Sequence, residues 1–278
     1  MLSMLKLLST LILLTSVLNA DIDENKILKF EKARLSKNPN ITIESVNIAM
    51  KKELDQKGWY GIVFDVVAQL DAKTVKAKDI LFTNGQTATP ELYNIKTGKS
   101  YKDYMKPKLT EKYYDDEHLI AGNKDAKHKI VLFSDPLCPH CIEYSPELIK
   151  DVKKNPKQFA LYYYHFPLLG LHPDSDVITK AMHVASQMGI KDVVYKTYTG
   201  NFYDYLTEHK NSDKKVLEVF NKIMKTNITL DQINSKDVKK SIEHDIFMGE
   251  EAMVQGTPTV FFDGVYDKSR YKYDRIKK

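Results

Sequence analysis

Residues 128–141 read His128-Lys129-Ile130-Val131-Leu132-Phe133-Ser134-Asp135-Pro136-Leu137-Cys138-Pro139-His140-Cys141. The run through Phe133 is continuously apolar, the pattern of a strand buried on both faces. The end of the stretch holds both cysteines of the chain, three residues apart, at the first turn of a helical pattern that runs over 139–154 and stops before Pro156. At that spacing two sulfurs share a helix face and can close a small disulfide ring. Cys138 comes first, where the helix dipole and free backbone N–H groups stabilise a thiolate. His140 adds positive charge nearby, and Pro139 fixes the backbone without wasting an N–H. These effects lower the Cys138 pKa, stabilise the reduced pair and make its disulfide a good oxidant. Cys141, deeper in the helix, is the expected resolving thiol.

Two plainer readings compete. A zinc site needs about four ligands and would have to recruit two of eight scattered histidines. A purely structural bridge closing so small a loop removes little chain entropy. No metal and no organic cofactor is therefore expected, only the redox-active pair Cys138–Cys141.

Working outward, further apolar runs cover 158–166 and 259–262, with helical patterns over 176–188 and 214–225 and a third region opened by Thr229 with Gln232 three later. Tyr162, Tyr163, Tyr164 and His165 on the second run read as core or sheet edge. The order strand, helix, strand, long helical excursion, strand predicts an α/β domain over 118–278 with a helical insertion at about 174–250. Upstream, 101–117 is rich in Lys, Asp, Glu and Tyr around Pro107 and is expected to be a partly helical linker. Residues 21–100 predict a small helix-plus-antiparallel-sheet domain, with a helix start at Asp21, a phase slip between Ile43 and Val46, and a turn at Asn84-Gly85. It holds too few apolar positions to be comfortable alone.

Residues 1–20 carry one early Lys, an apolar core and a small residue before the polar Asp21, as a secretory signal peptide cleaved after Ala20 would. An uncleaved membrane anchor is the alternative. Export places the chain in an oxidising compartment, where a cysteine pair persists as a disulfide. With 42 Lys+Arg against 37 Asp+Glu, the net charge of +5 is small and spread along the chain, so no nucleic-acid partner is expected. Glycine and proline counts of 11 and 10 exclude a collagenous or wholly disordered chain.

The strand, the C-P-H-C motif of Cys138 to Cys141, the helix with Pro146, and Thr257-Pro258 before a final strand together resemble the thioredoxin-fold disulfide oxidoreductases of the bacterial periplasmic Dsb group. The resemblance covers about residues 118–270. It implies that Thr257-Pro258 is a cis-proline loop lying against the active-site pair and presenting backbone to a substrate strand. Asp135-Pro136 and Thr257 are similar to the dimeric DsbC and DsbG branch, whereas the Pro139-His140 dipeptide is that of the monomeric oxidase DsbA. The N-terminal domain, with Gly58-Trp59-Tyr60-Gly61, is similar in size and order to a cystatin-like dimerisation domain, which implies a homodimer. The clients implied are unfolded or misbridged exported proteins, with a DsbB-like oxidase or a DsbD-like reductase in the membrane resetting the pair. Rival functions are a redox-independent holdase chaperone and a dedicated thiol reductase for one client. Where this fold often has a buried acid six residues before the first cysteine, the chain has Leu132, which leaves the proton acceptor for Cys141 unassigned.

Overall fold

The computed structural model describes residues 22–70 and 73–277, and the chain divides into two units between Leu92 and Tyr93. The expected signal peptide lies outside the described residues. No helix among the described residues is long and apolar enough to cross a membrane.

In the first unit α1 (Glu24–Leu35) is capped by Asp23, whose carboxylate accepts from Lys26 N at 3.1 Å. The helix therefore starts two residues beyond the expected Asp21. Strands β1 (Ile41–Glu53), β2 (Tyr60–Leu70), β3 (Lys73–Thr83) and β4 (Ala88–Thr89) form an antiparallel sheet in that order. The phase slip in β1 is a register shift between Ile43 and Ser45, as a bulge produces. Ile62, Phe64, Val66 and Leu81 make the core with Ile22 and Ile27. Phe30 is half exposed, while Glu31 is buried and takes an ion pair from Arg34, which also reaches Asp79.

The second unit begins at Tyr93, upstream of the expected boundary, because the supposed linker is packed into it. α2 (Lys102–Met105) is one turn long. Met105, Leu109 and Tyr113 are all buried, and Leu109 N donates to Gly264 O at 2.8 Å. These anchors are four residues apart, but Pro107 interrupts the helix that would have made their period visible. The sheet of this unit runs β5 (Leu119–Gly122), β7 (Phe159–His165), β6 (His128–Ser134), β8 (Thr259–Phe262), β9 (Val265–Tyr266). Central β6 pairs parallel with β7 and antiparallel with β8, so Ile130 faces both Leu161 and Phe262.

Alternation along β6 feeds two cores, as a doubly covered strand must. Ile130 and Leu132 pack with α3 (Pro139–Lys154) and the insertion, and Val131 and Phe133 pack with Tyr113, Tyr162, Tyr164 and Met248. The insertion comprises α4 (Ser175–Gln187), α5 (Val193–Tyr198), α6 (Asp213–Met224), α7 (Leu230–Ile233) and α8 (Lys236–Glu251). Thr229 and Gln232 form a capping box on α7, and Ser235 caps a separate α8.

Strand β5 ends at Gly122 with φ +84°, and a Cβ there would lie 1.9 Å from Phe159 O. Gly122→Ala should therefore lower unfolding stability by at least about 2 kcal/mol, read as a lower urea midpoint. An unchanged midpoint would contradict the close β5–β7 approach.

Candidate active site

The active-site helix starts where β6 ends, and one buried carboxylate fixes the turn between them. Asp135 is fully buried. Its Oδ1 accepts from Leu137 N at 2.8 Å and Ser175 Oγ at 2.6 Å, and its Oδ2 accepts from Leu168 N at 2.7 Å and contacts His172 Nδ1 at 3.0 Å. A buried charge is tolerated when its lone pairs are filled in this way. Tyr203, from the insertion, donates its hydroxyl to Leu137 O. The backbone leading into Cys138 is thus held on both its N–H and its carbonyl sides.

Cys138 is the N-cap of α3, Pro139 occupies the first helical position, and both cysteines are free thiols. The Thr257–Pro258 bond is cis, and the Cys138 thiol donates to Thr257 O at 3.3 Å. Pro258 is buried, while Pro139 and His140 are exposed. The structure thus brings together all six residues singled out in the sequence. The two sulfurs differ sharply. A hydrogen bond from the Cys141 thiol is the largest influence on Cys138; with smaller help from the Thr257 hydroxyl and the N–H groups of Cys141 and His140, it outweighs burial and lowers the Cys138 pKa to about 5. Cys141 has no exposed surface, and burial, reinforced by Cys138, raises its pKa well above the ordinary thiol value.

The stabilisation of Cys138 thus differs in detail from the sequence expectation. His140 acts through its backbone N–H, a helix-terminus donor, with its ring out in solvent. Thr257 Oγ1 is buried and has no partner while Cys138 is a thiol, so it is a donor held ready for the thiolate. Sequence reasoning missed Asp135 as a loop anchor, together with His172, Ser175 and Tyr203, because their partners lie tens of residues away. Among the described residues no group of three metal-ligating side chains converges.

A sheet of this order, a thiol-headed helix after its central strand and a cis-proline loop against the thiol define the thioredoxin class. A family model described as thioredoxin matches residues 114–278, more than half of the chain, and the chain belongs to that family as a thiol–disulfide oxidoreductase. It is 25% identical over 173 residues to a probable disulfide bond formation protein D of Bacillus cereus, covering 56% of this chain and 74% of the relative. Among solved structures it is similar to a thioredoxin-like oxidoreductase from Silicibacter pomeroyi, at 19% identity and TM-score 0.46, covering 60% of this chain and 96% of that one. The catalytic domain of Proteus mirabilis ScsC also matches, at 19% identity and TM-score 0.44, over 59% and 90%.

Because the folded-state pKa of Cys138 lies below that of an unfolded cysteine, its thiolate stabilises the reduced fold in full above about pH 8.5. That contribution fades as pH falls through the folded value of about 5. Alkylation of Cys138 should titrate with a midpoint near 5. In Cys141→Ala the main donor is gone, and the midpoint should rise by at least about one unit; an unmoved midpoint would rule out the Cys141 thiol as that donor.

Proposed function

We propose that this chain exchanges disulfides with other exported proteins, in the periplasm, through Cys138 and Cys141. The observation that carries the reading is the contrast between the two sulfurs: Cys138 at the helix N-terminus, its thiol on Thr257 O and its pKa held low, beside a wholly buried Cys141 whose pKa is raised. In the reducing half-reaction the Cys138 thiolate attacks a client disulfide, forms a mixed disulfide and expels one client thiolate. Cys141 then attacks Cys138 Sγ, closes the Cys138–Cys141 bond and releases the second client sulfur. In the oxidising direction a client thiolate opens that same bond. The reaction uses no metal or organic cofactor. Pro139 and His140 set the helix terminus that holds the thiolate, and the Thr257-Pro258 loop, its carbonyl 3.3 Å from the attacking sulfur, offers backbone to an extended client segment.

A depressed Cys138 pKa stabilises the reduced pair relative to its disulfide, which favours donation of disulfides to clients. The similarity to the Bacillus cereus relative, a probable disulfide bond formation protein, supports the same direction. On this reading a DsbB-like membrane oxidase recharges the pair. Isomerisation is a second arm, served by a homodimer that faces two sites toward one client and by a DsbD-like reductant. The N-terminal unit supports a dimer: β1, thirteen residues long, lies at the sheet edge and contributes no fully buried residue, so a second copy there would supply missing burial.

Cys138→Ala should abolish turnover in insulin reduction and in reactivation of scrambled ribonuclease; full activity would sink the assignment. Sedimentation of the mature chain should give a dimer, and a monomer at micromolar concentration would remove the isomerase arm.

A further inference from the structure

Three side chains of the segment that leads into the second unit's sheet tie it to α8. Lys106 Nζ donates to Met253 O at 2.5 Å, Tyr113 donates its hydroxyl to Met248 O at 3.0 Å, and His118 Nε2 lies 2.8 Å from Asp245 Oδ1. The segment is itself fixed, with Met105, Leu109 and Tyr113 buried and Leu109 N on Gly264 O at 2.8 Å.

Of the three, Lys106 acts closest to the cis-proline loop. Helix α8 ends in a Schellman pattern, in which Met253 N donates to Glu250 O and Val254 N to Gly249 O, both at 2.9 Å. Met253 takes the left-handed conformation, φ +57°, that a helix end usually gives to glycine. Its carbonyl lies at the negative end of the helix, where a cation is favoured, and Lys106 supplies that cation. The ammonium also lies 4.7 Å from the centre of the Tyr266 ring, a cation–π distance. The carboxylate of Asp103, three residues earlier, is engaged with Lys268 at 2.8 Å. The hydrogen bond from Lys106 therefore goes to a backbone carbonyl at the root of a loop instead of to an acid.

Four residues beyond Met253 stands Thr257, whose carbonyl accepts from the Cys138 thiol at 3.3 Å. The far side of the loop is fixed by Thr259 Oγ1, which donates to Gly256 O at 2.6 Å. Only Val254 and Gln255 separate the two holds, and Val254 is buried. So short a span has little slack, and a displaced Met253 carbonyl would carry the Thr257-Pro258 backbone with it.

We propose that Lys106 is a positioning residue for disulfide exchange: by holding the end of α8 it sets where the Thr257-Pro258 loop lies beside Cys138, and so aligns the backbone offered to a client segment. The proposal rests on the exchange reading above. Lys106 acts through the loop and not on either sulfur, so its contribution belongs to extended clients and not to the intrinsic reactivity of Cys138. A small disulfide can meet the sulfur without backbone pairing, whereas an extended peptide needs the loop in place.

The test uses the reduced full chain and two probes that release the same coloured thiolate when Cys138 attacks. One is a symmetric aromatic disulfide, and the other is an extended peptide whose single cysteine carries that aromatic thiol. In Lys106→Met, which keeps an unbranched side chain and removes the donor, attack on the peptide should slow by at least about tenfold, while attack on the small disulfide keeps its rate. Lys106→Arg, which keeps a charged donor, should recover most of the peptide rate. A natural peptide rate in Lys106→Met would overturn the proposal, and so would an equal loss with both probes, the mark of a residue that merely supports the fold. Should Lys106→Met fold poorly, Lys106→Gln, one bond short of the carbonyl, is read by the same two rates. No release from either probe by the natural chain would refute the exchange reading instead.

Discussion

The four contacts on the Asp135 carboxylate are the constraint on which the site depends. One buried charge draws together the end of the central strand, the turn into the thiol-bearing helix, and the entrance to the helical insertion at Leu168, His172 and Ser175. A buried carboxylate without those donors would carry a desolvation cost of several kcal/mol. The donors must therefore stay where they are, and the insertion, which could have been a passive appendage, is part of the machinery that aims Cys138. Tyr203 adds the second hold from the same insertion, on the carbonyl of Leu137.

The central strand distributes that order in two directions. Ile130 and Leu132 commit one face to the helices that surround the cysteines, and Val131 and Phe133 commit the other to the aromatic layer of Tyr113, Tyr162 and Tyr164. A slip of one residue would exchange the two faces and displace Ser134 and Asp135 together. Fold and chemistry therefore share one register.

Much of this was legible in the sequence. Continuous apolar runs announced β6, β7 and β8, the helix over 139–154 was bounded by its own prolines, and the phase slip in β1 showed as a break in alternation. The two cysteines pointed to one site by their chemistry, and the Thr257-Pro258 step was joined to it by the resemblance to the Dsb group. What could not be read was long-range. Asp135 before a proline looks like any turn residue, and only the fold brings Leu168 and Ser175 to it. Tyr163 read as core or sheet edge, and it is core, but its hydroxyl meets that of Tyr198 across 35 positions of sequence. The packed segment from Met105 to Tyr113 was hidden because Pro107 breaks its period, and no pattern announced that α1 buries the charged Glu31.

The unlike environments of the two sulfurs have one more consequence. In an unfolded chain Cys138 and Cys141 sit in nearly the same surroundings, three residues apart, and a thiol reagent would treat them as near equals. Only the folded domain lowers the pKa of one sulfur and shields the other completely. The ratio in which the two are modified is therefore an internal gauge of native structure, carried by the chain itself and needing no added label. With no other cysteine in the sequence, nothing else contributes to the reading.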